Sequence, residues 1–168
     1  MLSINQPDAS AGARRVEIRL AVRADVPAMA ALGAQMHREA PAYAWLPYDR
    51  AKVIAQGRRW LESPNHLALG AFENGEPIGM LVGVLQRYFF CDLAFASDIV
   101  LCVRKDRRGG SAAHRLVSRY RAWARECGAV QTNIGESTGI DPEGVGHWLE
   151  RLGFRSEAAI YKERINVR

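Results

Sequence analysis

The sequence predicts a single α+β domain: one mixed, mostly antiparallel sheet with helices against it. Three observations carry this. The chain has 168 residues, enough for one hydrophobic core and too few for two ordinary domains. Apolar residues recur with strand and helix periods in the order β-α-α-β-β-β-α-β-α-β, without internal repeat or dividing linker. That order has a hairpin-connected first half and one strand-helix-strand crossover, which makes the sheet mixed.

The body begins at Arg15, where Val16, Ile18 and Leu20 alternate with Glu17 and Arg19 as in a half-buried strand. Asp25 stands at an N-cap position with Pro27 in the first turn, and Val26, Met29, Leu32, Met36 and Ala40 follow at helical spacing until Pro41. Residues 41–48 hold Tyr43, Trp45 and Tyr48 between two prolines, as a loop that shapes a pocket or covers helix ends. Asp49 caps a second helix carrying Val53, Ile54, Gly57, Trp60 and Leu61, which Ser63-Pro64-Asn65 terminates. Strands over 67–72 and 78–85 flank Asn74-Gly75-Glu76-Pro77, a hairpin turn with positive φ expected at Gly75.

An aromatic-rich crossing at 87–92 leads to a strand over 95–103. Its run Ile99-Val100-Leu101-Cys102-Val103 implies burial on both faces. A basic, glycine-containing turn from Arg104 to Ser111 opens the strongest helix. Its apolar face is Ala112, Ala113, Leu116, Val117, Tyr120, Trp123, Ala124 and Cys127, and Gly128 closes it. A strand over 130–134, a loop over 135–139, a short helix from Asp141-Pro142 to Gly153 and a last strand over 159–165 complete the order.

Composition narrows the class. With 48% hydrophobic and 24% charged residues the chain is globular, not disordered, fibrous or membrane-spanning. Three cysteines without CxxC spacing exclude a zinc ribbon, argue against a disulfide framework and fit a reducing cytoplasm. Cys102 and Cys127 are read as small buried hydrophobes rather than nucleophiles. The four histidines lack ligand spacing, so no metal is expected. Residues 1–14 lack an apolar stretch, which excludes a signal peptide or anchor and leaves a disordered tail ahead of one domain over 15–168. Net charge is +5, and all but three of the 23 basic residues are arginine, as genome composition or an anionic partner would produce.

The chemistry concentrates between Asp98 and Cys127. A helix N-terminus presents unpartnered backbone N–H groups and about half a positive charge, so it binds anions. Gly109 and Gly110 let the backbone approach a phosphate closely. The turn is neither a Walker loop nor a GxGxxG fingerprint. Arg107-Arg108-Gly109-Gly110-Ser111-Ala112 instead has the form Arg-x-x-Gly-x-Ala behind a buried strand, and it resembles the pyrophosphate-binding motif of the GNAT superfamily of N-acetyltransferases. Ile18-Arg19-Leu20 with Asp25-Val26-Pro27, the hairpin around Asn74-Gly75, and Trp148-Leu149-Glu150-Arg151-Leu152-Gly153-Phe154 resemble segments of that family in the same order, over about 16–165. Ala96-Ser97-Asp98 and Ser137-Thr138-Gly139 are similar to members found in phage genomes.

The resemblance implies a GNAT-like fold, a sheet splayed between its fourth and fifth strands, and acetyl-CoA as cosubstrate. It places the pyrophosphate on backbone amides from Arg108 through Ser111 and Ala112 to Ala113, with Arg107 and Arg108 nearby. The pantetheine arm lies along Leu101, Cys102 and Val103 as an added strand, where a backbone N–H polarises the thioester carbonyl. An amine must lose a proton before attacking. Asp98 matches the family position of a catalytic glutamate, and Glu136 is the second candidate; each is also readable as a plain structural carboxylate. Leu149 stands where many members carry the tyrosine that protonates the departing thiolate, which leaves Ser137, His147, Tyr161 or water. The expected function is direct acetyl transfer to an amine, the alternative a non-catalytic acyl-CoA-binding domain. Many relatives form dimers, so a homodimer is an allowed assembly. Arg115, Arg119, Arg121 and Arg125 offer a basic helix face, but Glu126 and the lack of interleaved aromatics argue against nucleic acid. The acceptor site is expected from the loops at 41–48, 87–92 and 135–141.

Overall fold

The computed structural model describes residues 15–165; the tail expected over 1–14 lies outside them. The elements are β1 (Glu17–Leu20), α1 (Val26–Glu39), α2 (Arg50–Glu62), β2 (His66–Glu73), β3 (Glu76–Arg87), β4 (Ala94–Val103), α3 (Ala112–Glu126), β5 (Ala129–Asn133) and α4 (Pro142–Arg151). The strands form one sheet in chain order, antiparallel from β1 to β4 and parallel between β4 and β5, as the single crossover requires.

Local chemistry sets most boundaries. At the β2–β3 turn Asn74 and Gly75 have φ of 52° and 82°, the left-handed pair that matches strand twist in a two-residue hairpin. Asp49 caps α2 by accepting from the Lys52 N–H, and Asp141 caps α4 through Gly144. Asp25 does not cap α1: its carboxylate accepts from both Arg19 Nη atoms and from the Val22 N–H, closing the corner between β1 and α1. Arg19 also lies 3.7 Å over the Phe72 ring. That ring covers Gly70, where an added Cβ would come within 2.3 Å of it.

Two cores hold the sheet. Leu116, Val117, Tyr120 and Ala124 of α3 pack on Leu69, Ala71, Ile78 and Leu81, with Trp148 of α4 and Leu152 just beyond it alongside. On the other face Met29 and Leu32 of α1, with Trp60 and Leu61 of α2, meet Ala68, Met80, Val82 and Cys102. Two of the arginines expected on a solvated helix face reach carbonyls instead: Arg115 donates to Val16 O and Arg121 to Leu152 O.

Two expectations fail here. Cys127 is exposed, because it stands one residue beyond α3 where the apolar stripe has turned to solvent. Residues 159–165 form no strand. They run exposed beyond α4, with Ile160, Tyr161 and Ile165 open to water, because no strand among the described residues pairs with them.

Candidate active site

The two edges of β4 differ. β3 pairs along it from Ala94 to Val103, whereas β5 follows only from Ala94 to Ser97 and then departs. A bulge sits at the departure point: Gly83 faces Asp98 and Val82 faces Val100, so Ile99 is an extra residue without a cross-strand partner. Ile99 is consequently 42% exposed, where the apolar run implied burial on both faces. Past Ser97 no strand among the described residues pairs with the outer edge of β4. An extended ligand arm can add there as a strand would, along Leu101, Cys102 and Val103. Leu101 and Val103 lie toward α3, and Cys102 is buried toward α1.

Asp98 stands at the fork. Its Oδ1 accepts from the Gly135 N–H at 2.9 Å, and burial pushes its carboxyl above the ordinary carboxylate range. No ion pair joins it among the described residues. Tyr120 is close enough that the Asp98 charge, after burial itself, raises the phenol; its hydroxyl donates to Asn133 O, the last paired residue of β5.

Glu136 is placed differently. Its Oε1 accepts from the Thr138 N–H, the Thr138 hydroxyl and the Gly139 N–H, so it ties its own loop into shape. The neighbouring Ser137 Oγ accepts from the Tyr43 hydroxyl at 2.8 Å, and Ala42 N–H donates to Thr138 O. These bonds join the loop after α1 to the loop after β5 across the fork. Tyr43 was legible only as one aromatic among several; nothing local announces a partner 94 residues away. The third expected loop, 87–92, does not join them. Tyr88 bonds Gln131 and packs on Phe95 at the opposite end of β4 from the glycine turn, with Phe89 and Phe90 exposed.

The turn at the far end of β4 has the expected anion-binding features. A 3₁₀ turn over Lys105–Arg107 leads to Gly109, whose φ of 80° suits glycine and whose missing Cβ faces open space. Ser111 opens α3 without a side-chain cap, so the first N–H groups, including those of Ala112 and Ala113, are available to a ligand. The two arginines are held by acids that sequence spacing did not indicate. Arg107 donates to Glu73 through Nε and Nη2 at 3.1 and 2.8 Å. Arg108 donates to Glu39 and to Val103 O. The pair 107–73 links the turn to the β2–β3 hairpin and braces the loop.

Other candidates separate clearly. Leu149 is buried, so its position supplies no acid. His147 and Tyr161 are exposed, the latter 94%. Burial pushes the Cys102 thiol up to about 12, which leaves no thiolate for a cysteine route. Among the described residues no cluster of His, Cys, Asp or Glu could hold a metal ion, and no helix is long and apolar enough to cross a membrane. From the segment beyond α4, Lys162 Nζ donates to Ser137 O at 3.4 Å and lies 4.9 Å over the Tyr43 ring.

Comparison with known proteins agrees with the fold. A family model described as the acetyltransferase (GNAT) family matches residues 33–154. A transcriptional regulator from Bacillus halodurans superposes with a TM-score of 0.74 at 18% identity, covering 90% of this chain and 100% of that one. An aminoglycoside acetyltransferase from an uncultured soil metagenomic sample gives 0.69 at 24% identity, covering 90% and 99%. An aminoglycoside N-acetyltransferase in complex with CoA gives 0.69 at 16% identity, covering 91% and 96%. Among curated proteins no sequence matches significantly.

Proposed function

The chain belongs to the acetyltransferase (GNAT) family, and from that premise we propose that it is an N-acetyltransferase moving the acetyl group of acetyl-CoA directly to an amine, with Asp98 as the base. The observation that carries the reading is the fork: a bulged strand with one free edge, a half-buried carboxyl where the edge becomes free, and a glycine turn leading to an uncapped helix start at that strand's end. The residues fit the cosubstrate. Gly109 leaves open space where a Cβ would stand, and the uncapped start of α3 offers N–H donors to a pyrophosphate. Acetyl-CoA supplies an activated thioester.

The protein does the rest. Free backbone groups of β4 align the arm, and a main-chain N–H at the bulge stabilises negative charge growing on the carbonyl oxygen. Asp98 takes the amine proton as the N–C bond forms and the C–S bond breaks. Burial raises its carboxyl above the ordinary range, the direction a base for this step needs. The departing sulfur receives a proton from Ser137 as the Tyr43 hydroxyl, which donates to Ser137 Oγ, passes its own proton to the serine; Tyr43 then regains a proton from water, and Asp98 gives the amine proton back to water. Tyr43 and Ser137 thus replace the donor that Leu149 cannot provide.

The test is CoA release from acetyl-CoA with a panel of alkyl, aryl and peptide amines, alongside calorimetric binding of acetyl-CoA. Amine-dependent release is expected. Background release despite measurable binding would overturn the enzyme reading and leave the non-catalytic binding domain in its place.

A further inference from the structure

Beneath α1 and α2, against the face of β2, β3 and β4, lies a cavity of about 250 Å³ that the reaction above does not use. Its walls include Met29, Gly33, Tyr48, Trp60, Met80 and Ile99. Among its lining residues only His37, Tyr48 and Trp60 carry a side-chain N–H or O–H group, and the Tyr48 hydroxyl is spent on Ala30 O at 2.7 Å. No carboxylate, amide or ammonium lines it.

The void is built into the helix pair. Gly57 brings α2 against Val26 so closely that a Cβ there would meet Val26 Cγ1 at 3.0 Å. Gly33 makes way for the Tyr48 hydroxyl, 2.9 Å from where its Cβ would stand. The helices close tightly on each other and bridge over the sheet, which leaves space below. An interior normally fills such space, since unfilled apolar volume forfeits packing.

The position of the opening says what enters. Ile99, the bulge residue after Asp98, is both part of the wall and 42% exposed. The wall therefore reaches the surface at the bulge of β4, next to the position of the reacting carbonyl in the function proposed above, on which this inference rests. A polar wall faces the fork from the other side, Tyr43 with Ser137, and a primary ammonium already rests there: Lys162 Nζ lies over the Tyr43 ring and on Ser137 O. An amine thus has a place outside the cavity, and an uncharged chain has one inside.

We propose that the cavity takes the acyl chain of the donor, so that besides acetyl-CoA the same site accepts, and binds more tightly, an acyl-CoA with a saturated or branched chain of about six carbons; a cavity of roughly 150 Å³ already holds benzene. The transfer is otherwise unchanged. The amine nitrogen bonds to the acyl carbon, the C–S bond breaks, Asp98 takes the amine proton and CoA leaves as the thiol.

Calorimetry with acetyl-, butyryl-, hexanoyl- and octanoyl-CoA tests this without turnover. Affinity should rise from acetyl to hexanoyl by about tenfold or more, given up to about fourfold per buried methylene. Ala68→Leu and Ala30→Leu, which narrow the cavity from β2 and from α1, should each abolish that rise while acetyl-CoA still binds as before. Two variants on opposite walls guard against one failing to fold. A flat or falling series, or a rise that survives in both folded variants, overturns the proposal. So does a flat donor series in which KM for hexylamine, not for the donor, responds to the two variants, because the acceptor would then own the cavity. Flat affinity with amine-dependent turnover removes this inference alone; a steep series without turnover removes the transferase reading alone.

Discussion

Asp25 and Asp98 are the same residue type used for opposite purposes at two corners of one sheet. At the β1–α1 corner, Asp25 is gripped by both Arg19 Nη atoms and by Val22 N–H, and the guanidinium bond holds its carboxyl below the usual range. At the β4–β5 fork, burial raises Asp98, and the Gly135 N–H offsets this only in part. The difference lies in what the sheet does around each. β1 stays paired to β2 along its length, so its corner is closed and its charges are matched. β5 leaves β4 after Ser97, so the fork half-buries a carboxyl with no cation paired to it among the described residues. A carboxylate paired to a guanidinium is held charged and serves stability; a half-buried one without such a pair is free to take up a proton, which is what the proposed role of Asp98 needs.

The contrast breaks most visibly in kinetics. Asp98→Asn should lower kcat by about 10²–10⁴-fold, the range for loss of a positioned base, while the Gly135 bond is retained by the amide oxygen and Tm stays within a few degrees. Steady-state CoA release and a thermal melt decide it. A variant with full activity would return Asp98 to the class of structural acids. Asp25→Asn should do the reverse. It should cost about 1–2 kcal/mol at neutral pH, the value of charged hydrogen bonds trimmed for the one-third exposure of Arg19, and leave kcat unchanged. Urea unfolding measures the first and the same assay the second.

What the sequence disclosed divides along the same line. The closed side follows local rules: the Asn74-Gly75 turn, the α2 and α4 caps and the apolar stripe of α3 all stand where period and turn chemistry predict. At the fork, the motif pointed to the glycine turn before α3, because a helix start of that kind is written in consecutive residues, and the family resemblance singled out Asp98 as a candidate. Neither could show that β5 departs after Ser97, that Ile99 bulges outward, or that Tyr43 reaches Ser137. Those depend on contacts between segments far apart in the chain. Arg107 and Arg108 show the same limit: they read as phosphate ligands, and the acids that hold them come from the β2–β3 hairpin and from α1. The expected strand over 159–165 failed for a related reason, since alternation proposes a strand but only a neighbouring edge supplies its hydrogen bonds.

The smallest expected effect is also the most direct comparison, because it reads both carboxyls in one experiment. A folded-state pKa below the unfolded value of about 3.9 means that Asp25 contributes stability at higher pH and loses it as pH falls through the folded value. A folded-state pKa above the unfolded value means that Asp98 contributes at low pH and that its contribution is lost as pH rises through the folded value. The two substitutions should therefore tilt the stability profile in opposite directions. Between pH 3 and 8, the stability of Asp25→Asn relative to the parent should fall as pH rises, and that of Asp98→Asn should climb. Each slope is bounded by roughly 1.4 kcal/mol per pH unit, the limit for one proton. Urea midpoints across that range resolve differences of this size. Parallel slopes would mean that the fork does not hold Asp98 apart from the ordinary run of surface carboxylates, and the case for it as the base would then rest on kinetics alone.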